Sequence, residues 1–216
     1  MELIVCGFLC ALAAVFASWY SATALLEQPM QPKQVKISCA LLGTVGLACG
    51  LLLGGQLVYV PNIARMVVAL GALSGAAVCD IREKRIPNLF YVLMLAAFVL
   101  LSGTDLLMKE GSGFSSLLGG FLSGVILFGL MALFRGVTTL IIHKAGIGWG
   151  DVKIIGAMGC LIGLRGTVAA LFLGQLIMLF TVLVLLALRK VGLKDGVAFA
   201  PFLLVGFLLS VCLGMY

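Results

Sequence analysis

Residues 66–80 read MVVALGALSGAAVCD, an apolar run that carries no charge until it closes on an aspartate. Runs of this kind recur along the whole chain. Hydrophobic residues make up 63% of the 216 and charged residues 10%, with a mean hydropathy of +1.27. An average globular domain carries about 25% charged residues. A soluble fold of this length could not hide so much apolar surface, so lipid is the solvent for most of the chain. Glycine supplies 28 residues, about twice the usual ~7%. Small residues let helix backbones approach closely in a membrane, where no hydrophobic force distinguishes helix–helix from helix–lipid contact. The expected fold is all-α: a compact, polytopic transmembrane helix bundle.

A spanning helix needs about 20 apolar residues. Eight segments qualify as candidates, at about 3–26, 37–60, 63–80, 88–107, 114–134, 152–164, 166–188 and 197–215. The sixth is short for a full crossing. The first ends before EQPMQPK, whose two prolines cannot continue a helix in lipid; the third begins after Pro61-Asn62 and the fourth after Ile86-Pro87-Asn88. With the N-terminus outside and eight alternating spans, both termini face outward. The inside loops then hold Lys33, Lys36, Arg82, Lys84, Arg85, Arg135, Lys144, Lys153, Arg189, Lys190 and Lys194, leaving only Arg65, Lys109 and Arg165 outside. Basic residues accumulate in cytoplasmic loops, which supports that orientation and also accounts for the net charge of +6 without any nucleic-acid partner. The chain is expected to form a single membrane-embedded domain over 1–216, with N-terminal spans in 1–60 and the chemistry-bearing spans in 63–216.

The seven cysteines contain no CxxC pair and mostly lie inside apolar runs, where free cysteine behaves as a small buried hydrophobe. A disulfide framework or zinc site is therefore not expected. The N-terminal MELIVCGFLCALAAVFASWYSATALL lacks a basic leading region and reads as a retained span rather than a cleaved signal. His143, the lone histidine, is read as an interfacial residue, and Trp19 and Trp149 as interfacial anchors, with Trp149 also placed to shape a cleft.

Of the eight acidic residues, Glu2, Glu27, Asp105, Glu110 and Asp195 fall in termini or loops and read as solvated charges. Glu83, inside DIREKR, is expected to pair with the neighbouring cations. Asp80 and Asp151 differ. Asp80 closes the run quoted above; Asp151 follows the glycine string of GIGWGDVK (146–153) and opens the apolar VKIIGAMGCLIG. Both reach one depth and one side of the expected bundle, its cytoplasmic face. Taken singly, Asp80 could be a helix-end anchor paired with Arg82 or Lys84, and Asp151 a helix N-cap. Taken together they suggest a dyad, because ionisable residues within a membrane are costly and are functional hypotheses by default. Two carboxylates that share one proton can hydrolyse a peptide bond, one accepting a proton from water and the other donating to the carbonyl oxygen. Gly146, Gly148 and Gly150 would then supply backbone angles closed to other residues and let a substrate strand come close. Lys153 is a candidate counter-charge there, although a snorkelling interfacial lysine is the preferred reading.

These segments resemble a known family. GWGD matches the GxGD signature of membrane aspartyl proteases, and the longer GIGWGDVKIIGAMGCLIG resembles the second active-site motif of bacterial type IV prepilin peptidases. DIREKRIPNLF (80–90) resembles their first motif, with Pro87 and Asn88 in the isoleucine-proline-asparagine positions. FAPFLLVGFL (199–208) resembles their terminal segment, with Ala200 where glycine is usual and Pro201 in place. The three segments stand in the family's order and cover about the C-terminal two-thirds of the chain. The resemblance implies that Asp80 and Asp151 are the catalytic pair, that no metal or organic cofactor is needed, and that the substrates are prepilins or pseudopilins. Their short basic leader would be cut at the cytoplasmic face of the bacterial inner membrane, just before their hydrophobic helix. Full-length members carry a zinc-binding cytoplasmic domain with paired CxxC motifs and N-methylate the new terminus. Here the first inside loop is only EQPMQPKQVK, so methyltransferase activity is not expected.

Three other readings compete. A presenilin-like protease would place a tyrosine before its first aspartate, where Cys79 stands. A proton- or cation-coupled transporter would use the same two carboxylates, but transport sites lie near the bilayer midplane. An assembly scaffold with two capping aspartates is compatible with the composition and is opposed only by the coincidence of motifs.

Overall fold

A computed structural model describes residues 2–27, 30–54, 60–108, 113–142, 147–189 and 197–215. Among these residues there is no strand. The elements are α1 (Glu2–Tyr20), a π-helical turn (Ser21–Leu25) that continues it, α2 (Pro32–Gly54), α3 (Val60–Glu83), α4 (Asn88–Met108), α5 (Gly113–Ile142), α6 (Trp149–Ile162), α7 (Leu164–Ala187) and α8 (Ala200–Cys212). Each of the eight expected apolar segments contains a helix among the described residues, and the protein is an all-α polytopic bundle. Among the described residues five helices are long and apolar enough to cross a membrane: α1 with its π turn, α3, α4, α5 and α7. The short sixth segment is a helix of 14 residues, and α8 has 13.

Several boundaries differ from the sequence expectation, each for a local reason. Helix α3 begins at Val60, so Pro61 lies inside its first turn rather than before it. Proline is tolerated there because the amide it lacks would have no intrahelical partner. The EQPMQPK break stands: Leu26 is extended, with ψ 138°. Pro32 then opens α2, which places Lys33 and Lys36 on a helix rather than in a loop. Helix α5 runs 30 residues, to Ile142, so Arg135 is carried on a helix and not in a connecting loop.

The layering follows from which helices are apolar all round. Every residue of α3 from Ala69 to Asp80 is buried, and its candidate span is 67% buried against 11% for α5 and 17% for α7. In α6, Val152 and all of 154–161 are buried. A helix without a polar face belongs inside a bundle or against lipid; α3 and α6 take the inside, while α5 and α7 turn most of their surface outward. Helix α3 packs against α1, α4 and α8, and touches α6; α6 lies against α5, α4 and α7.

Glycine sets the closest of these contacts. A Cβ at Gly46 would meet the Cys10 carbonyl oxygen at 2.7 Å, one at Gly124 the Gly156 carbonyl oxygen at 2.8 Å, and one at Gly174 the Phe202 carbonyl oxygen at 2.7 Å. No side chain fits at those three crossings, so α1–α2, α5–α6 and α7–α8 pack backbone to backbone, as small residues permit in membranes.

The basic residues segregate. Arg82, at the end of α3, bonds Gln34 at the start of α2, which brings Lys33, Lys36, Lys84 and Arg85 to the end of the bundle that carries Asp80. Arg135 lies over the Trp149 ring beside Asp151. Arg65 and Arg165 sit at the far ends of their helices.

Candidate active site

Asp80 stands near the end of α3 and is 6% exposed. Its Oδ2 accepts the Ala200 N–H at 2.8 Å, and the Phe199 N–H also donates to its carboxylate. The first amides of a helix have no internal partner, and the positive end of the helix dipole favours an anion. The buried carboxylate and the N-terminus of α8 therefore satisfy each other. Among the described residues Asp80 forms no ion pair with Arg82 or Lys84; Arg82 turns to Gln34 instead. Glu83 differs as well. Rather than pairing with a neighbouring cation, its Oε1 accepts the Glu27 N–H at 2.6 Å, while Arg85 reaches Glu27 at 3.5 Å on the exposed surface.

Asp151 is the third residue of α6, a helix outside the five spanning ones. Gly148 is the N-cap, and Asp151 Oδ2 accepts the Gly148 N–H at 3.2 Å, so the aspartate caps its helix from within the first turn. Burial pushes its pKa up to about 6, with the negative charge of Asp80 adding to the rise and the Gly148 amide and Arg135 opposing it. The two carboxylates, 71 residues apart in sequence, thus share one end of the bundle and one electrostatic environment.

The remaining candidates fall into place unevenly. Gly150 packs on Ile86: an added Cβ would stand 3.0 Å from the Ile86 Cβ. That contact locks the turn after α3 against the start of α6 and gives the isoleucine of IPN a structural meaning. Gly148 has φ −69° and ψ 148°, an extended conformation open to any residue, so the expected special backbone angle is absent there. Gly146 and His143 lie outside the described residues. Pro87 and Asn88 form the entry to α4, where the Phe90 N–H reaches the Pro87 carbonyl at 3.4 Å and Phe90 is buried against Gly75. Pro201 sits in the first turn of α8, directly behind Ala200. Lys153 is not directed at the aspartates; its Nζ lies 5.0 Å from the centroid of the Tyr91 ring, a cation–π contact.

Sequence reasoning missed the Phe199 and Ala200 amides and Arg135 at the site, and misjudged Asp105 away from it. The Phe199 and Ala200 amides carry no side-chain signature, so only the FAPF resemblance pointed near them. Arg135, 4.9 Å over the half-exposed Trp149 ring, belongs to α5 rather than to the expected loop, because the C-terminal extension of that helix has no cap or breaker in the sequence that marks its end. Asp105 is not the solvated charge expected of it. It is 1% exposed and pairs with Arg65 Nη2 at 2.5 Å, with Ser102 Oγ at 3.5 Å from the same nitrogen. At 1.5 Å rise per residue, Arg65 lies about 22 Å along α3 from Asp80, so this ion pair belongs to the opposite end of the bundle.

Two carboxylates held by helix amides at one end of an apolar bundle can divide the work of an acid and a base. The comparisons with known proteins converge on these segments. The model of the Type IV leader peptidase family matches residues 66–183, more than half of the chain and both aspartates. A curated relative from Bacillus subtilis (strain 168), the "Prepilin leader peptidase/N-methyltransferase", is 27% identical over 191 residues, covering 86% of this chain. The chain spans 66% of that relative's length. No solved structure matches. The apolar bundle, the two aspartates and the matched segment agree: this chain belongs to the Type IV leader peptidase family.

Proposed function

We propose that this protein is a membrane aspartyl endopeptidase that removes the short basic leader of type IV prepilins or pseudopilins, with Asp80 and Asp151 as the catalytic pair. The observation that carries the reading is the convergence of these carboxylates, from the two most enclosed helices, at one end of the bundle, near enough for the charge of one to raise the pKa of the other. In this mechanism Asp80, held by the α8 amides, is the ionised partner that takes a proton from water. Asp151 carries the proton that passes to the scissile carbonyl oxygen. Water oxygen bonds to the carbonyl carbon, the tetrahedral intermediate collapses, and the C–N bond breaks as the amine leaves with a proton from the dyad. Both carboxylates return to their starting states.

The aspartate end of the bundle also carries Lys33, Lys36, Arg82, Lys84, Arg85 and Arg135. The excess of basic residues at that end supports a cytoplasmic orientation in the bacterial inner membrane, with both termini of the chain outside. Peptidase activity alone is proposed; the zinc-binding CxxC pairs that accompany N-methylation in the family are absent from this sequence.

The test is co-expression of the protein with a leader-bearing prepilin in cells that lack their own leader peptidase, followed by intact mass. Removal of the leader, relative to cells without the protein, is the expected result, and the same spectrum shows whether the new terminus gains a methyl group. An unprocessed prepilin in both samples would overturn the reading.

A further inference from the structure

Asp80 and Asp151 stand on different helices, and α3 and α6 touch each other only lightly. The turn that follows α3 joins them. Its Ile86 seats on Gly150, the residue before Asp151, and at its start the Lys84 N–H donates to the Asp80 carbonyl at 3.0 Å. The chain thus runs directly from one aspartate to the contact that seats the other, and whatever fixes this turn fixes the placement of the pair.

The turn does not hold its shape by local preference. Lys84 follows α3 with φ 51°, in the left-handed region that crowds the Cβ of any residue but glycine. Helices commonly close on such a residue, but glycine is its usual occupant. A lysine persists there when its surroundings hold it, and the holding contacts flank it. Glu83 Oε1 accepts the Glu27 N–H at 2.6 Å, and the Arg85 guanidinium lies 3.5 Å from the Glu27 carboxylate. The second contact is an exposed ion pair and adds little. The first ties a side chain to the main chain of another element, and that element is itself pinned. Helix α1 widens into the π turn at Ser21–Leu25 and stops at the extended Leu26, so the Glu27 amide finds its partner in Glu83 rather than in a helix. The Met30 N–H donates to the Ala22 carbonyl at 3.1 Å, Ser21 and Ala22 are buried, and Ser21 shares a hydrogen bond with Cys79. Cys79 and Glu83 are one helical turn apart on one face of α3, the face that meets the end of α1, whereas Asp80 meets the start of α8.

We infer that Glu83 is a positioning residue for the two aspartates: through the Glu27 amide it holds the turn in its left-handed start, and the turn carries Ile86 to Gly150 and so sets Asp151 against Asp80. The inference rests on the peptidase reading above. The Glu83 side chain is directed at the segment after α1 and acts on the reaction only through the turn. Without its bond Lys84 is free to relax to negative φ, which re-aims Ile86 and unseats the start of α6. Alignment of the two carboxylates matters to the transition state and not to the binding of the substrate, so the loss falls on kcat.

The test compares Glu83→Ala, Glu83→Gln and Glu83→Ala combined with Lys84→Gly in the full chain, reconstituted with a prepilin, with cleavage kinetics read beside thermal unfolding. Glu83→Ala is expected to lower kcat about 10- to 100-fold with KM and Tm nearly unchanged, the signature of an alignment needed only in the transition state. Glu83→Gln keeps an oxygen to accept the Glu27 amide and should retain most of the rate. Glycine adopts the left-handed conformation without crowding, so Lys84→Gly should return part of the rate that Glu83→Ala loses. Glu27→Pro breaks the same bond from the donor side. Leu26 already has the φ −79° and ψ 138° that a following proline favours, and this variant should lose kcat as Glu83→Ala does. A wild-type kcat in either bond-breaking variant, a loss confined to KM, equal losses in Glu83→Ala and Glu83→Gln, no gain from Lys84→Gly, or failure of both bond-breaking variants to fold would overturn the positioning role while wild type still cleaves. If wild-type protein does not cleave, the peptidase reading fails and the positioning role falls with it.

Discussion

The contact between Gly150 and Ile86 offers a perturbation whose sign is set by two opposed magnitudes. Gly150 lies in the first turn of α6, and replacing a helical glycine with alanine ordinarily stabilises by about 1 kcal/mol. Here the added methyl would stand 3.0 Å from the Ile86 Cβ and 3.5 Å from its Cγ1, where carbon atoms settle at about 3.5–4.0 Å. The Ile86 Cβ is fixed to the main chain and cannot swing aside, so the turn at 84–88 or the start of α6 must move by about 0.5 Å. Overpacking of this kind costs about 1–3 kcal/mol, enough to cancel or outweigh the propensity gain. The larger consequence is for catalysis, because Asp151 is the next residue. A misplacement of about 1 Å costs about a hundredfold in rate, so we predict that Gly150→Ala loses about 10- to 100-fold in prepilin cleavage with only a small change in Tm. Adding Ile86→Gly removes the opposing Cβ and should restore much of the rate, whereas adding Ile86→Ala, which keeps that atom, should not. The assay is initial cleavage rate in proteoliposomes beside thermal unfolding in detergent. Wild-type cleavage by Gly150→Ala, or equal behaviour of the two Ile86 replacements, would refute the proposed lock.

Three further predictions concern the charges. Because Asp151 gives up its proton at about pH 6 and the mechanism needs it protonated, kcat/KM should fall about tenfold per pH unit above that value; a flat profile from pH 6 to 8 would contradict the role. Arg135 favours the ionised form of Asp151, so Arg135→Gln should move the same limb to higher pH, and a shift to lower pH would contradict the sign. Asp105→Leu strands Arg65 in the bundle and should cost about 3–5 kcal/mol in a detergent unfolding assay. The double replacement Arg65→Met with Asp105→Leu should recover most of that loss, and no recovery would show that the pair is not the interaction being broken.

How much of this was legible in the sequence depends on what each residue contributes. Apolar runs of spanning length mark helices, and the two aspartates stood out because each interrupts such a run at its end. The GxGD and IPN segments were visible as motifs, but their physical link, Gly150 seated on Ile86, is a tertiary contact that no spacing encodes. The amides of Phe199 and Ala200 were invisible for a simpler reason: every residue but proline has one, and only the fold decides which amides face a buried carboxylate. Asp105 misled because a carboxylate near the end of an apolar run reads like a loop residue, while its partner Arg65 lies 40 positions away. Arg135 was misplaced with the end of α5, since an apolar helix that outruns its membrane span carries no stop signal.

The central claim is that Asp80 and Asp151 act as one catalytic pair, and it meets its most direct test in purified wild type, Asp80→Asn and Asp151→Asn. Each is reconstituted with the same prepilin and read by intact mass, with Tm measured in parallel. Asparagine keeps an oxygen to accept the Ala200 or Gly148 amide but cannot serve as the acid or base. Leader removal by wild type alone, with all three proteins equally folded, is the predicted result. Cleavage by either asparagine variant at wild-type rates would contradict it.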